Sequence, residues 1–157
     1  MNLSEIAGTV CDFINRLGLY SQPLSLYLWG YDCSTGEYSL PILYNLYGFI
    51  ALVVALVLAA IYYYAWKPVR RQRMWWFVLL GANGLVQWCV AYFCLTARLD
   101  AGRIGECLVF NDSGTQVIDR ADIAMFGVVN AVVAMLLFFV LSLVFKSFSS
   151  TCRHYPF

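Results

Sequence analysis

Three stretches of this chain, Ile42 to Trp66, Trp75 to Ala97 and Ile123 to Phe145, run for 25, 23 and 23 residues without a single Asp, Glu, Lys, Arg or His. As helices rising ~1.5 Å per residue each is roughly 34 Å long or longer, enough to cross a hydrocarbon core of ~30 Å with some tilt. Composition agrees with that use. Of the 157 residues 62% are hydrophobic and 12% charged, whereas a soluble domain is about half apolar and about a quarter charged. The expected fold class is an all-α integral membrane protein with three transmembrane helices, at 42–66, 75–97 and 123–145.

The charges are sorted across these walls. All nine acidic residues lie in 1–40 and 98–122, accompanied by four arginines, while 67–74 and 146–157 together hold six basic residues and no acid. Lys and Arg are retained in cytoplasmic loops, so Lys67, Arg70, Arg71 and Arg73 are the topology determinants of a basic cytoplasmic turn and 146–157 is a cytoplasmic tail. The N-terminus is then outside and the C-terminus inside. Segment 1–40 has no basic stretch followed by an apolar core, so its export is assigned to the first span rather than to a cleavable leader. The expected location is a bacterial inner membrane or its equivalent. Tyr62, Tyr63, Tyr64, Trp66, Trp75 and Trp76 flank the basic turn, and Tyr44, Tyr47, Tyr92 and Phe126 mark the opposite level, as interfacial aromatics do.

The extracytoplasmic segments have patterns of their own. Leu3, Ile6, Ala7, Val10, Phe13, Ile14 and Leu17 recur at helical spacing behind Ser4, predicting an amphipathic helix that ends near Gly18. Such a helix lies on the outer leaflet or caps neighbouring helices. In 24–40 the runs Leu24–Trp29 and Glu37–Leu40 flank a turn-rich segment, and in 98–122 the runs Cys107–Phe110 and Thr115–Ile118 flank Asn111-Asp-Ser-Gly114; each predicts a small β-hairpin. The carboxylate pairs Asp119/Asp122 and Asp100/Glu106 fit a solvated surface.

Six cysteines raise the question of redox or metal chemistry. Cys33 and Cys107 fall one in each predicted hairpin, on the side where disulfides persist, and form a possible bridge. Cys89 and Cys94 are about 140° apart around one helix and cannot pair without distortion. No Cys-x-x-Cys pair occurs, and His154 is the only histidine, too few ligands beside Cys152 for zinc. The sequence offers no nucleophile with a base beside it. No catalytic residue, metal site or cofactor is assigned.

The spans do carry polar and small residues. Asn83 and Gln87 share a face of the second span, and Asn130 of the third reaches a similar depth, which puts a Gln87 to Asn130 hydrogen bond within range. Two readings follow: interhelical bonding at ~0.6 kcal/mol each, or a ring of amides lining a narrow oligomeric pore. Ala51, Ala55 and Ala59, then Gly81 and Gly84, then Gly127 and Ala131 form helix-packing stripes that let helices approach closely; three helices are expected to be too few to hide all of them within one protomer. The expected function is a non-enzymatic membrane subunit that self-assembles or scaffolds a larger membrane complex, the alternative an ion channel or pore lined by Asn83, Gln87 and Asn130. Its partners are the lipid bilayer and further membrane subunits, identical or different, with no role for nucleic acid.

The charge asymmetry makes a topological prediction. On a cysteine-free background, single cysteines at Gln72 and Ser147 should resist an impermeant thiol reagent in intact cells, and one at Ser113 should react. Labelling at position 72 would reverse the orientation.

Overall fold

The computed structural model describes residues 20–65, 72–110 and 114–148. The expected amphipathic helix before Gly18, Lys67, Arg70 and Arg71 of the basic turn, and the tail with Cys152 and His154 lie outside these residues. The described elements are α1 (Gln22–Leu28), β1 (Tyr31–Asp32), β2 (Glu37–Tyr38), α2 (Leu43–Ala60), which continues as a π turn over Ile61–Ala65, α3 (Gln72–Asp100), α4 (Glu106–Val109) and α5 (Arg120–Phe148).

Three helices are long and apolar enough to cross a membrane, over Leu43–Tyr64, Met74–Asp100 and Arg120–Phe145. They match the uncharged runs to within about a turn, α3 and α5 extending into the polar flanks that carry Arg98, Asp100, Arg120 and Asp122. The central helix is α5: both α2 and α3 pack along it, and they meet each other much less. Ala51, Ala55 and Ala59, four residues apart, are fully buried. Four is close to the helical period, so one edge of α2 has no side chain beyond Cβ and can press against its neighbours.

Two apolar clusters occupy the ends of the bundle. At the end flanked by the acidic segments, Tyr44 and Tyr47 of α2, Ala91 and Leu95 of α3 and Ile123 and Phe126 of α5 join residues of α1 and α4. At the basic end, Ala55, Ala59, Tyr62, Tyr63, Trp76 and Phe138 form the second. The interfacial aromatics therefore divide. Tyr64 and Trp75 are exposed, but Tyr44, Tyr47, Tyr62, Tyr63, Trp76 and Phe126 are buried, because edge-to-face packing, as of Tyr44 and Tyr47 on Phe126, competes with the headgroup region for the same rings.

The acidic end is capped by a small folded layer, and here the local expectations need correction. Residues 24–28 are helix, not strand, and Trp29 is the C-cap. Ser21 caps α1, its side chain accepting from Leu24 N, and Pro23 falls in the first turn, where its missing N–H costs nothing. The alternating Leu24-Ser-Leu-Tyr-Leu looks like a strand, yet the buried positions are Leu24, Ser25, Tyr27 and Leu28, a helical face. The first hairpin exists in shorter form, with Tyr31 opposite Tyr38 and Asp32 opposite Glu37. Gly30 (φ +88°) and Gly36 (φ +70°) bound it, and a Cβ on Gly30 would strike the Leu40 carbonyl. Asp32 accepts from the backbone and hydroxyl of Ser34 at 2.9 Å each, which holds its carboxyl below the ordinary value, the backbone bond first.

The second hairpin is reduced to one bridge, Phe110 to Gln116, beside the bond from Val117 N to Val109 O at 2.7 Å. Residues Glu106–Val109 form a helical turn instead, because Leu108 and Val109 are both buried and successive strand residues would point to opposite faces. Cys107 on this turn meets Cys33 at disulfide distance, with Cα atoms 6.1 Å apart, and Gly105 leaves the space that the Cys33 sulfur fills.

The acidic pair is also not merely surface. Asp119 caps α5, accepting from Asp122 N at 2.8 Å. Asp122 turns its carboxylate to Ser21, accepting from Ser21 N at 2.6 Å and from the Ser21 hydroxyl, so one carboxylate ties the start of α1 to the start of α5. The exposed pair Arg120–Asp100 at 3.3 Å adds little by comparison.

The cap geometry predicts a linked peptide pair. Non-reducing mass spectrometry should recover Cys33 and Cys107 joined. A cross-link over 74 residues of separation should stabilise the chain against unfolding by up to about 4 kcal/mol, read as a lower melting temperature after reduction. Two free thiols in freshly isolated membranes would reject the pair.

Candidate functional site

Between the two apolar clusters lies a polar layer. Asn83 and Gln87 are fully buried and Asn130 is 8% exposed. The Asn83 amide donates to Ala134 O across the α3–α5 contact at 2.7 Å. The Gln87 amide donates to Tyr47 O on α2 at 3.0 Å. Each side chain thus reaches a backbone carbonyl of a different helix, and the pair links all three spans near mid-depth.

Backbone carbonyls inside a helix are already engaged along the helix, but each keeps a second lone pair. A side-chain donor can take it without breaking the ladder. In hydrocarbon there is no water to offer instead, so these bonds fix which faces meet. The direct Gln87 to Asn130 bond expected from the sequence is not formed: the Gln87 donor goes to Tyr47 O, and Gln87 Oε1 and Asn130 Nδ2 have no partner among the described residues. Among the described residues four buried side-chain polar atoms have no hydrogen-bond partner: Asn83 Oδ1, Gln87 Oε1, Asn130 Nδ2 and Thr96 Oγ1.

Small residues set the spacing. Gly84 leaves room for Met135, whose Cγ would lie 3.1 Å from an added Cβ, and Gly127 faces Trp88, whose Cδ1 would lie 2.9 Å away. Trp88 Nε1 donates to Ala124 O at 3.3 Å, and Trp76 Nε1 to the Ser142 hydroxyl at 3.3 Å. The two indole bonds flank the amide layer along the α3–α5 contact, Trp76 on the basic side and Trp88 next to Gln87 on the acidic side. Sequence reasoning passed over Ser142, Ser21 and the tryptophan donors, because a serine in an apolar run and a Trp near an interface are both unremarkable until the partner is known. Of the packing residues, Ala51, Ala55, Ala59, Gly84 and Gly127 are used within the protomer and Ala131 is half-buried. Gly81 alone of that set is open, with nothing within 4 Å of an added Cβ.

At the capped end a second polar chain runs through aromatic side chains. Tyr20 and Tyr44 share a hydroxyl hydrogen bond at 2.8 Å, Tyr44 donates to Ser25, and Arg98 donates to the Tyr27 hydroxyl at 3.4 Å. These bonds seat α1 on the ends of α2 and α3. Among the described residues no three His, Cys, Asp or Glu side chains converge as a metal site would need.

No family model matches this chain, and neither a curated protein nor a solved structure is significantly similar to it.

The packing ranks two substitutions. Asn83→Leu removes one side-chain bond and should cost about 1 kcal/mol or less, whereas Gly127→Leu drives a side chain into Trp88 and should cost about 1–3 kcal/mol or more. Steric-trap unfolding in bicelles measures both; a costlier Asn83→Leu would mean that the amide layer, not the glycine contact, dominates the α3–α5 interface.

Proposed function

We propose that this chain is a non-enzymatic subunit of a larger membrane assembly, built from further copies of itself or from other membrane proteins, with its N-terminus and disulfide-bonded cap on the extracytoplasmic side. The observation that carries the reading is the open notch at Gly81. It lies between Phe77 and Leu85, four residues to either side and 64% and 65% exposed, so α3 presents a large-small-large stripe away from its own bundle. A glycine there adds no packing within the protomer and costs helix propensity, but it admits a close approach by another helix. About a third or less of each span is buried inside the chain, which leaves broad apolar faces for lipid and for neighbours. The positive-inside charge pattern and the cysteine pair support the orientation.

The pore reading draws less support. Asn83 and Gln87 point into the protomer and donate to its own carbonyls, whereas an oligomeric pore needs polar side chains turned toward the symmetry axis.

The test is the mass of the detergent-extracted particle, by native mass spectrometry, in the native chain and in Gly81→Leu. The native chain should run as a complex and Gly81→Leu should lose it while keeping the Cys33–Cys107 link. A monomeric native particle without partner would overturn the proposal, and ion flux in liposomes that Gly81→Leu spares and Gln87→Leu abolishes would install the channel in its place.

A further inference from the structure

The amide layer ends in groups that want a ligand. Asn83 and Gln87 have their NH₂ groups committed to the carbonyls of Ala134 and Tyr47, which fixes their oxygens as the free ends. Those oxygens, Asn83 Oδ1 and Gln87 Oε1, are buried acceptors without a donor, and Asn130 Nδ2 is a buried donor without an acceptor.

The helix register brings the three together. The α3–α5 contact places Asn83 beside Ala134, Gly84 beside Ala131 and Met135, and Trp88 beside Gly127. Moving one turn from the Asn83–Ala134 bond toward the acidic end, along antiparallel helices, leads to Gln87 on α3 and Asn130 on α5. Gln87 and Asn130 therefore lie at one depth, both buried, and Asn83 lies one turn away on the face it shares with Gln87, with Cβ atoms ~5–6 Å apart. Donor and acceptor are neighbours, yet no direct bond joins them.

We infer that Asn83 Oδ1, Gln87 Oε1 and Asn130 Nδ2 form a binding site for a single ordered water molecule in the middle of the membrane-spanning bundle. A water offers two donors and two acceptor lone pairs, and the site presents two acceptors and one donor. Two bonds of ~2.8 Å meeting at a water's tetrahedral angle hold their outer atoms about 4.6 Å apart, a separation that side chains one helical turn apart, with Cβ atoms ~5–6 Å apart, can present. Three bonds is the usual number for a buried water. A monovalent cation fits less well, since it would take the two oxygens but be repelled by the Asn130 NH₂ protons. The water ties α3 to α5 at the level where Gln87 ties α3 to α2, and it completes the hydrogen bonding of a layer that hydrocarbon cannot satisfy. This site lies inside one protomer and is independent of the proposed assembly.

The experiment is NMR of the full chain in phospholipid nanodiscs with ¹⁵N-labelled Asn and Gln, reading cross-relaxation from water to side-chain NH₂ protons in paired NOE and ROE spectra, which separate a resident water from proton exchange. The native chain should show water cross-peaks of resident-water sign at Asn130 and at one or both of Asn83 and Gln87. Asn130→Leu should lose them at Asn83 and Gln87. Absence of resident-water cross-peaks at all three amides in the native chain overturns the site, as does retention of those at Asn83 and Gln87 in Asn130→Leu. A sodium-dependent shift of the Asn83 and Gln87 amide signals without water cross-peaks would reassign it to a cation.

Discussion

In hydrocarbon an amide side chain can bond only to protein or to what the protein encloses. That constraint organises the bundle. Asn83 and Gln87 each seek an acceptor, and the acceptors within reach are carbonyls of other helices, at Ala134 and Tyr47. Meeting them fixes the rotation of α3 against α5 and α2 at once. Apolar packing alone would be far less selective, because Leu, Val and Phe rows are as content against lipid as against each other.

Once the rotation is set, the small residues define how close the helices come. Ala51, Ala55 and Ala59 bring α2 in, and Gly127 accepts the Trp88 ring. The apolar clusters at the two ends then differ in kind. The basic end is closed by aromatic rings of the spans themselves, whereas the acidic end is closed by a separate layer, α1, the β1–β2 hairpin and α4, held by the Asp122–Ser21 bonds and the Cys33–Cys107 pair. A layer built of such short elements depends on ties of this kind as well as on its buried apolar residues.

The long elements were legible in the sequence because a membrane span has one dominant signal, the length of an uncharged run. The short ones were not. Leu24–Trp29 alternates like a strand but folds as a helix to Leu28, since Ser21 and Pro23 supply a start and Leu24, Ser25, Tyr27 and Leu28 are buried on one helical face. Cys107–Phe110 likewise turned from strand to helical turn under the demand to bury Leu108 and Val109 together. Of the candidate site, the identity and depth of Asn83, Gln87 and Asn130 could be read from position along a run. Their partners could not, because a carbonyl acceptor is present at every residue and carries no sequence signature.

Sequence by itself determined that three segments are long and apolar enough to cross a membrane, which flanks carry the acidic and basic residues, and that three amides sit near the middle of those segments among apolar neighbours, because each of these depends only on the order of residue types along a line. Tertiary structure decided that α5 is the central helix, that Gln87 bonds to Tyr47 rather than to Asn130, that the alanine stripe is spent inside the protomer while Gly81 stays open, and that Asp122 is a clasp for α1. Those outcomes turn on the relative placement of neighbouring elements, which the amide bonds and the packing of the faces fix together and which no residue reveals when read alone.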